Sequence, residues 1–268
     1  MTQSTQPERS DDPDTAAGRV LKVLSYNIQV GIATAKPHHY LTHSWKHVLP
    51  HSERLTNLDS IAHLISNFDL VGLQEVDAGS LRSGFINLTE YLAHRAQFPF
   101  WHHRVNRRIG RFAQNASGLL SRLRPTEVME HKLPGLIPGR GLTLARFGSQ
   151  DESLAVINLH LSLSRRARML QLGFVAELAS EHPHVILMGD LNCQPNSAEM
   201  RYLFRTSSLR EPTEEFHTFP SWQPMRNIDH ILVTPSLQVR AAHVLSHSYS
   251  DHLPIAMELV LPETLRLP

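Results

Sequence analysis

The chain has 268 residues, 41% of them hydrophobic and 19% charged, with a formal net charge of +1. This is ordinary globular material without the strong basic excess of a dedicated nucleic-acid binder, though it leaves phosphate-bearing substrates open. The single cysteine, Cys193, excludes an intramolecular disulfide, and no run of about 18 uncharged apolar residues reads as a membrane span.

Residues 1–18 lack periodicity and large apolar side chains and read as a disordered leader. Their polar, acidic character lacks the apolar centre of a signal peptide and predicts a cytoplasmic protein, although a cysteine-poor exported chain would look the same. Residues 19–262 show no linker, charge block or repeat and read as one domain, with 263–268 as a tail.

A first strand is predicted over Val20–Gln29, then a helix over Ser52–Asn67 with an apolar face of Leu55, Leu58, Ile61, Ala62 and Ile65. A strand over Asp69–Glu75 and a helix over Leu88–Ala96 follow. Strands come next at Gly118–Arg122, Leu142–Phe147 and Leu154–His160. A helix over Arg165–Glu181 presents Met169, Leu172, Val175, Ala176 and Ala179 on one side. The remainder reads as strand Val185–Asp190, helix Ser197–Phe204, and strands Ile228–Thr234, Val239–Ser246 and Ile255–Leu261. Several strands are rich in Val, Ile and Leu without strict alternation, as expected when both faces are covered. Many strands with interspersed helices mean an α/β layered domain.

The chemistry gathers where the apolar runs finish. Ser25-Tyr-Asn offers Asn27, Leu73-Gln-Glu offers Glu75, and Asn158-Leu-His offers His160. Gly189-Asp-Leu-Asn supplies Asp190 and Asn192, Ile228-Asp-His supplies Asp229, and Ser250-Asp-His supplies Asp251 and His252. Ligands of α/β sheets gather at strand ends, where loops converge. Carboxylates and amide oxygens suit a hard cation such as Mg²⁺, and two histidines can hydrogen-bond phosphate oxygens or donate a proton. Taken singly, each residue has an ordinary reading as a helix cap, turn former or satisfied histidine.

Taken in order, the six motifs resemble the signature of the endonuclease/exonuclease/phosphatase superfamily, which includes deoxyribonucleases, abasic-site endonucleases, neutral sphingomyelinases, inositol polyphosphate 5-phosphatases and deadenylases. The resemblance implies a four-layer α/β/β/α sandwich of two mixed β-sheets flanked by helices. It implies Mg²⁺ as cofactor, with Mn²⁺ as a substitute, held chiefly by Glu75 with Asn27 and Asp251 near. Asp190 would orient or deprotonate the attacking water, and Asn192 would help hold the phosphate. Asp229 would hydrogen-bond His252, and His252 with His160 would grip the scissile phosphate or assist the leaving group. His160 matches the branch containing deoxyribonucleases and sphingomyelinases rather than abasic-site enzymes.

The stretch from Arg107 to Arg122 resembles the family's middle region, and Asn115 is carried over as a substrate contact. Arg104, Arg107, Arg108 and Arg111 would bind phosphates of a longer substrate, or form a solvated basic loop. Arg165, Arg166 and Arg168 open a helix against its dipole, which is compatible with phosphate binding. Cys193 reads as a packing residue, Trp45, Trp101 and Trp222 as core or rim, and His38 and His39 as loop residues without a metal role. Asn87-Leu-Thr and Asn115-Ala-Ser fit the glycosylation pattern, which carries little weight without secretion. The leading expectation is a phosphodiesterase or phosphatase acting on a small or lipid-linked phosphoester without stable membrane insertion. A DNA or RNA nuclease is the alternative, and a catalytically dead binding protein is the alternative of another class.

Overall fold

The computed structural model describes residues 19–31, 52–135, 139–149, 152–211 and 216–267. The predicted leader, His38, His39 and Trp45 lie outside the described residues. One sheet contains β1 (Val20–Asn27), β2 (Leu70–Asp77), β3 (Phe100–Ile109), β4 (Ala113–Ser121), β10 (Gln238–Val244) and β11 (Ile255–Val260), in the order β10-β11-β1-β2-β4-β3. The other contains β5 (Glu127–Lys132), β6 (Gly141–Gly148), β7 (Ser153–His160), β8 (His184–Asp190) and β9 (Asp229–Val233), in sequence order. Each sheet is mixed: β1–β2 and β7–β8 pair parallel, their other neighbours antiparallel.

Helices α1 (Ser52–Ile65) and α2 (Leu88–Arg95) cover the first sheet, while α3 (Arg165–Ser180) and α4 (Ala198–Thr206) cover the second. Three apolar cores separate the four layers. Leu24 and Tyr26 of β1 pack with Leu58, Ile61 and Leu92 of the helices, whereas Leu21 and Val23 face the second sheet. In β7, Leu154 and Val156 join that inter-sheet core while Ala155, Ile157 and Leu159 pack with α3. Burial on both faces is why these strands show no apolar–polar alternation.

Two strands, β3 and β5, have no counterpart in the sequence reading. Both are sheet edges with a largely exposed face, so Phe-Trp-His-His-Arg-Val-Asn-Arg-Arg-Ile and Glu-Val-Met-Glu-His-Lys carry charge that hides their strand character. On α1, Leu55 is 43% exposed and lies outside the apolar face expected of it. The arginines opening α3 have a structural partner: buried Glu199 of α4 lies 2.8 Å from Arg168 and 3.7 Å from Arg165. Burial alone would raise the Glu199 pKa, but the Arg168 hydrogen bond and charge hold it below the ordinary value. Asn87 caps α2, its side-chain oxygen accepting from the backbone N–H of Thr89 and Glu90. Cys193 is buried within the core against α3 and α4, and burial pushes its thiol up to about 12. Among the described residues no helix is long and apolar enough to cross a membrane.

A buried ion pair braces β9. His230 is bonded through Nδ1 to Glu211 at 2.7 Å and through Nε2 to the Cys193 carbonyl at 2.9 Å. Burial disfavours the imidazolium, yet the hydrogen bond and charge of Glu211 raise its pKa overall. A raised histidine stabilises the fold fully below its unfolded value of about 6.5 and loses that contribution as pH climbs through the folded value. Glu211→Gln is therefore expected to lower stability by about 1–3 kcal/mol at pH 6. The deficit should shrink in alkaline solution, which urea unfolding across this range would check.

Candidate active site

The candidate residues lie where the two sheets meet. Asn27 ends β1 and donates from Nδ2 to Asp190 Oδ2 at the end of β8, 3.2 Å away. Asn27 Oδ1 accepts the Gln29 backbone N–H at 3.2 Å, which fixes the amide's orientation. Glu75 sits at an irregularity in the β2–β4 pairing, with a left-handed φ of +53°. Such backbone costs a non-glycine residue about 1–2 kcal/mol. It sets Glu75 apart from Gln74, whose buried amide donates to Asn158 Oδ1 across the sheets at 2.8 Å. The Glu75 side chain is 41% exposed and opens into a cleft, with Oε1 at 4.0 Å from His160 Nδ1.

Asp190 is the hub. Its Oδ2 lies 3.3 Å from His160 Nε2, and its Oδ1 accepts the Asn192 backbone N–H at 2.9 Å. Asn192 has φ +53° and spends its Nδ2 on the Leu161 carbonyl at 3.0 Å, so its side chain holds the loop while its backbone N–H reaches Asp190. Burial, then the nearby Asp229 charge, pushes the Asp190 carboxyl up to about 7.

Asp229 opens β9 directly beside it, for Asp190 and Asp229 are register partners. Its Oδ2 accepts from Thr218 Oγ1 at 2.5 Å and bonds His252 Nδ1 at 2.8 Å. Burial opposes charging of His252, but the Asp229 carboxylate dominates and raises that imidazole to about 10. His160 moves the other way: burial first, then Arg140 and His252, hold it well below its ordinary value. The site thus presents one charged and one neutral imidazole near neutrality. Asp251 lies just before His252, its Oδ1 accepting from Ser250 Oγ at 3.1 Å.

Asn27, Glu75, His160, Asp190, Asn192, Asp229, Asp251 and His252 accordingly come together from distant parts of the chain. Asn115 and Arg107 join them in a cleft of about 690 Å³ that shares Glu75 and His160 with the buried group. Asn115 Oδ1 accepts from Arg82, which is clamped by Asp77 at 2.9 Å. Arg111 is exposed on the turn joining β3 to β4 and does not line the cleft. Buried Arg104 faces Glu130 of β5 at 3.7 Å. Arg140 escaped the sequence reading. It lies in the β5–β6 connection, lines the cleft and feels the charges of Glu75 and Asp190.

The donor set suits a hard divalent cation. Glu75, Asp251, Asp190 and Asn27 offer only oxygen ligands. Desolvation at the floor of the cleft and then the Asp251 charge raise Glu75, and a cation would offset both. Asp229 Oδ1 is a buried acceptor with no hydrogen-bond donor among the described residues. Asp190, Asp229 and His252 also place ligand atoms within 4.8 Å of one another, but His252 Nδ1 is already committed to Asp229.

Residues 24–252 match the sequence pattern of the Endonuclease/Exonuclease/phosphatase family, and the chain belongs to that family. Its members are phosphoester hydrolases that generally depend on a divalent metal, which makes phosphoester hydrolysis the reaction class here. Among solved structures, an endonuclease/exonuclease/phosphatase from Beutenbergia cavernae is 21% identical with a TM-score of 0.70, the match covering 91% of this chain and 72% of the other. A family protein from Bacteroides thetaiotaomicron matches at 21% identity and TM-score 0.70, covering 91% and 99%. The mannosyl-6-phosphatase Bt3783 of the same organism matches at 20% and 0.69, covering 90% and 100%. No curated protein matches the sequence.

Proposed function

We propose that this single-domain protein is a cytoplasmic, Mg²⁺-dependent phosphodiesterase or phosphatase acting on a small or lipid-linked phosphoester, with Mn²⁺ able to replace Mg²⁺. The observation that carries this reading is the buried assembly of Asp190 with His160 and Asp229 with His252, facing Glu75 and Asn27. Glu75, Asn27 and Asp251 would hold the cation, which supplies charge compensation on the phosphoryl oxygens. Asp190 accepts a proton from the attacking water, and the Asn192 amide N–H steadies that carboxylate. His252, kept charged by Asp229, donates to a phosphoryl oxygen as the water–phosphorus bond forms and the bond to the leaving oxygen breaks. Neutral His160 shares a hydrogen bond with Asp190 and borders the substrate cleft. Asn115 and Arg107 contact the rest of the substrate.

A nuclease is the second reading, favoured by exposed Arg108 and Arg111 beside the cleft residue Arg107. It would show as an affinity for DNA or RNA that falls steeply with salt. The decisive test incubates the protein with bis-p-nitrophenyl phosphate and p-nitrophenyl phosphate in Mg²⁺, Mn²⁺ or EDTA, beside Glu75→Gln. Hydrolysis is expected to require metal, and the variant is expected to need far higher metal concentrations. Cleavage undiminished in EDTA would refute the metal role. Silence on both compounds together with undetectable Mg²⁺ and Mn²⁺ binding would point to a dead enzyme.

A further inference from the structure

Two sets of arginines stand out among the described residues. Arg82, Arg95, Arg104, Arg146, Arg165 and Arg168 lie within 4.0 Å of a carboxylate. Arg107, Arg140 and Arg166 make no ion pair and donate no side-chain hydrogen bond among the described residues, yet all three line the one cleft. They reach it from three separate segments: β3, the β5–β6 connection and the first turn of α3. Like charges converging on a concavity repel one another, and low-dielectric walls concentrate their field on whatever enters. The cleft's carboxylate, Glu75, lies at the end shared with the buried reactive group. Arg140 feels the charges of Glu75 and Asp190 and so lies toward the reactive group, whereas Arg107 and Arg166 have no carboxylate within 4.0 Å among the described residues.

We infer that this cleft binds a second anionic group of the substrate, so that the substrate is a compact phosphoester carrying a further phosphate besides the one that reacts. The inference rests on the phosphoesterase reading and names its substrate class. Guanidinium forks match phosphate oxygens bidentately, and Arg107 and Arg166 offer two of them to the cleft. The about 690 Å³ volume is of small-ligand size. Leu163 and Leu170, 77% and 55% exposed on the same wall, offer apolar surface to the scaffold joining the two phosphates.

The test measures binding by calorimetry in EDTA, where no turnover occurs, so its outcome is separate from that of the hydrolysis assay. The probes are myo-inositol 1,4-bisphosphate, myo-inositol 1-phosphate and a short oligothymidylate. The bisphosphate is expected to bind at least about 10-fold more tightly than the monophosphate, the size of one charge-assisted contact. Arg107→Gln/Arg166→Gln, both exposed positions, should erase that preference, whereas Arg205→Gln on α4 should keep it. Equal affinity of wild type for the two inositol phosphates, including no binding of either, would overturn the proposal. So would a preference that survives in the double variant. Oligothymidylate binding more tightly than the bisphosphate, and weakened by Arg108→Gln, would replace the compact ligand by a nucleic acid.

Discussion

Asp190→Asn is expected to stop turnover while making the metal-free protein harder to unfold above neutral pH. The carboxylate is buried among His160, Asn27 and Asp229, and under the proposed function it takes a proton from water. Asparagine keeps the shape and accepts the Asn192 N–H through its oxygen, but it has no basic lone pair at neutral pH. Loss of a general base of this kind costs a factor of about 100 to 10,000 in rate. The stability effect has the opposite sign. Burial and the Asp229 charge raise the folded-state pKa of Asp190 to about 7, so its ionised form costs the fold energy. That cost is absent below the unfolded carboxylate value of about 4 and complete above the raised value. In EDTA the variant should gain Tm over wild type at pH 8 and gain nothing near pH 4. Retention of a tenth of wild-type activity would remove Asp190 from proton transfer, and equal Tm at pH 8 would mean that the charge is already compensated.

Gly189→Ala should be among the most damaging single substitutions in the molecule. Gly189 has φ +142°, and an added Cβ would meet the Leu159 carbonyl oxygen at 1.9 Å and its carbonyl carbon at 3.0 Å. These are backbone atoms of the neighbouring parallel strand, Gly189 being the register partner of Leu159, so no rotamer change relieves the contact. The strands must part or slide, and the next register pair is His160 with Asp190. A loss of about 3 kcal/mol or more is expected, together with loss of activity in whatever folds. Denaturant unfolding within 1 kcal/mol of wild type would contradict the close packing of β7 on β8 at this point.

Much of the sandwich is legible in the sequence because its central strands are apolar on both faces and its helices carry one apolar stripe. Among the described residues, nine of the eleven strands and all four α-helices fall where those patterns lie, with ends displaced by a few residues. The two edge strands escape because Arg104 to Arg108 and Glu127 to Lys132 pair with a neighbour on one side and meet solvent on the other. The reactive residues are readable because they interrupt apolar runs at strand ends. Arg140 is not, since its loop carries no periodicity and its nearness to Glu75, on the other sheet, exists only through the packing of the two sheets. Thr218 is equally silent: its hydrogen bond to Asp229 joins a loop residue to a strand end. For the opening of α3, position reveals the basic run, but only the fold separates Arg166, free in the cleft, from Arg165 and Arg168, tied to Glu199.

The seam between the sheets also sets a timetable. Asn27 and Glu75 leave the ribosome before His160 and Asp190, and Asp251 and His252 follow only a few residues before β11, which then pairs with β1, distant in sequence but adjacent in the sheet. A nascent chain therefore carries its acids and amides long before it can use them. Under the proposed function, hydrolysis is expected only once β11 has paired with β1, because Asp251 and His252 reach the other site residues through that strand.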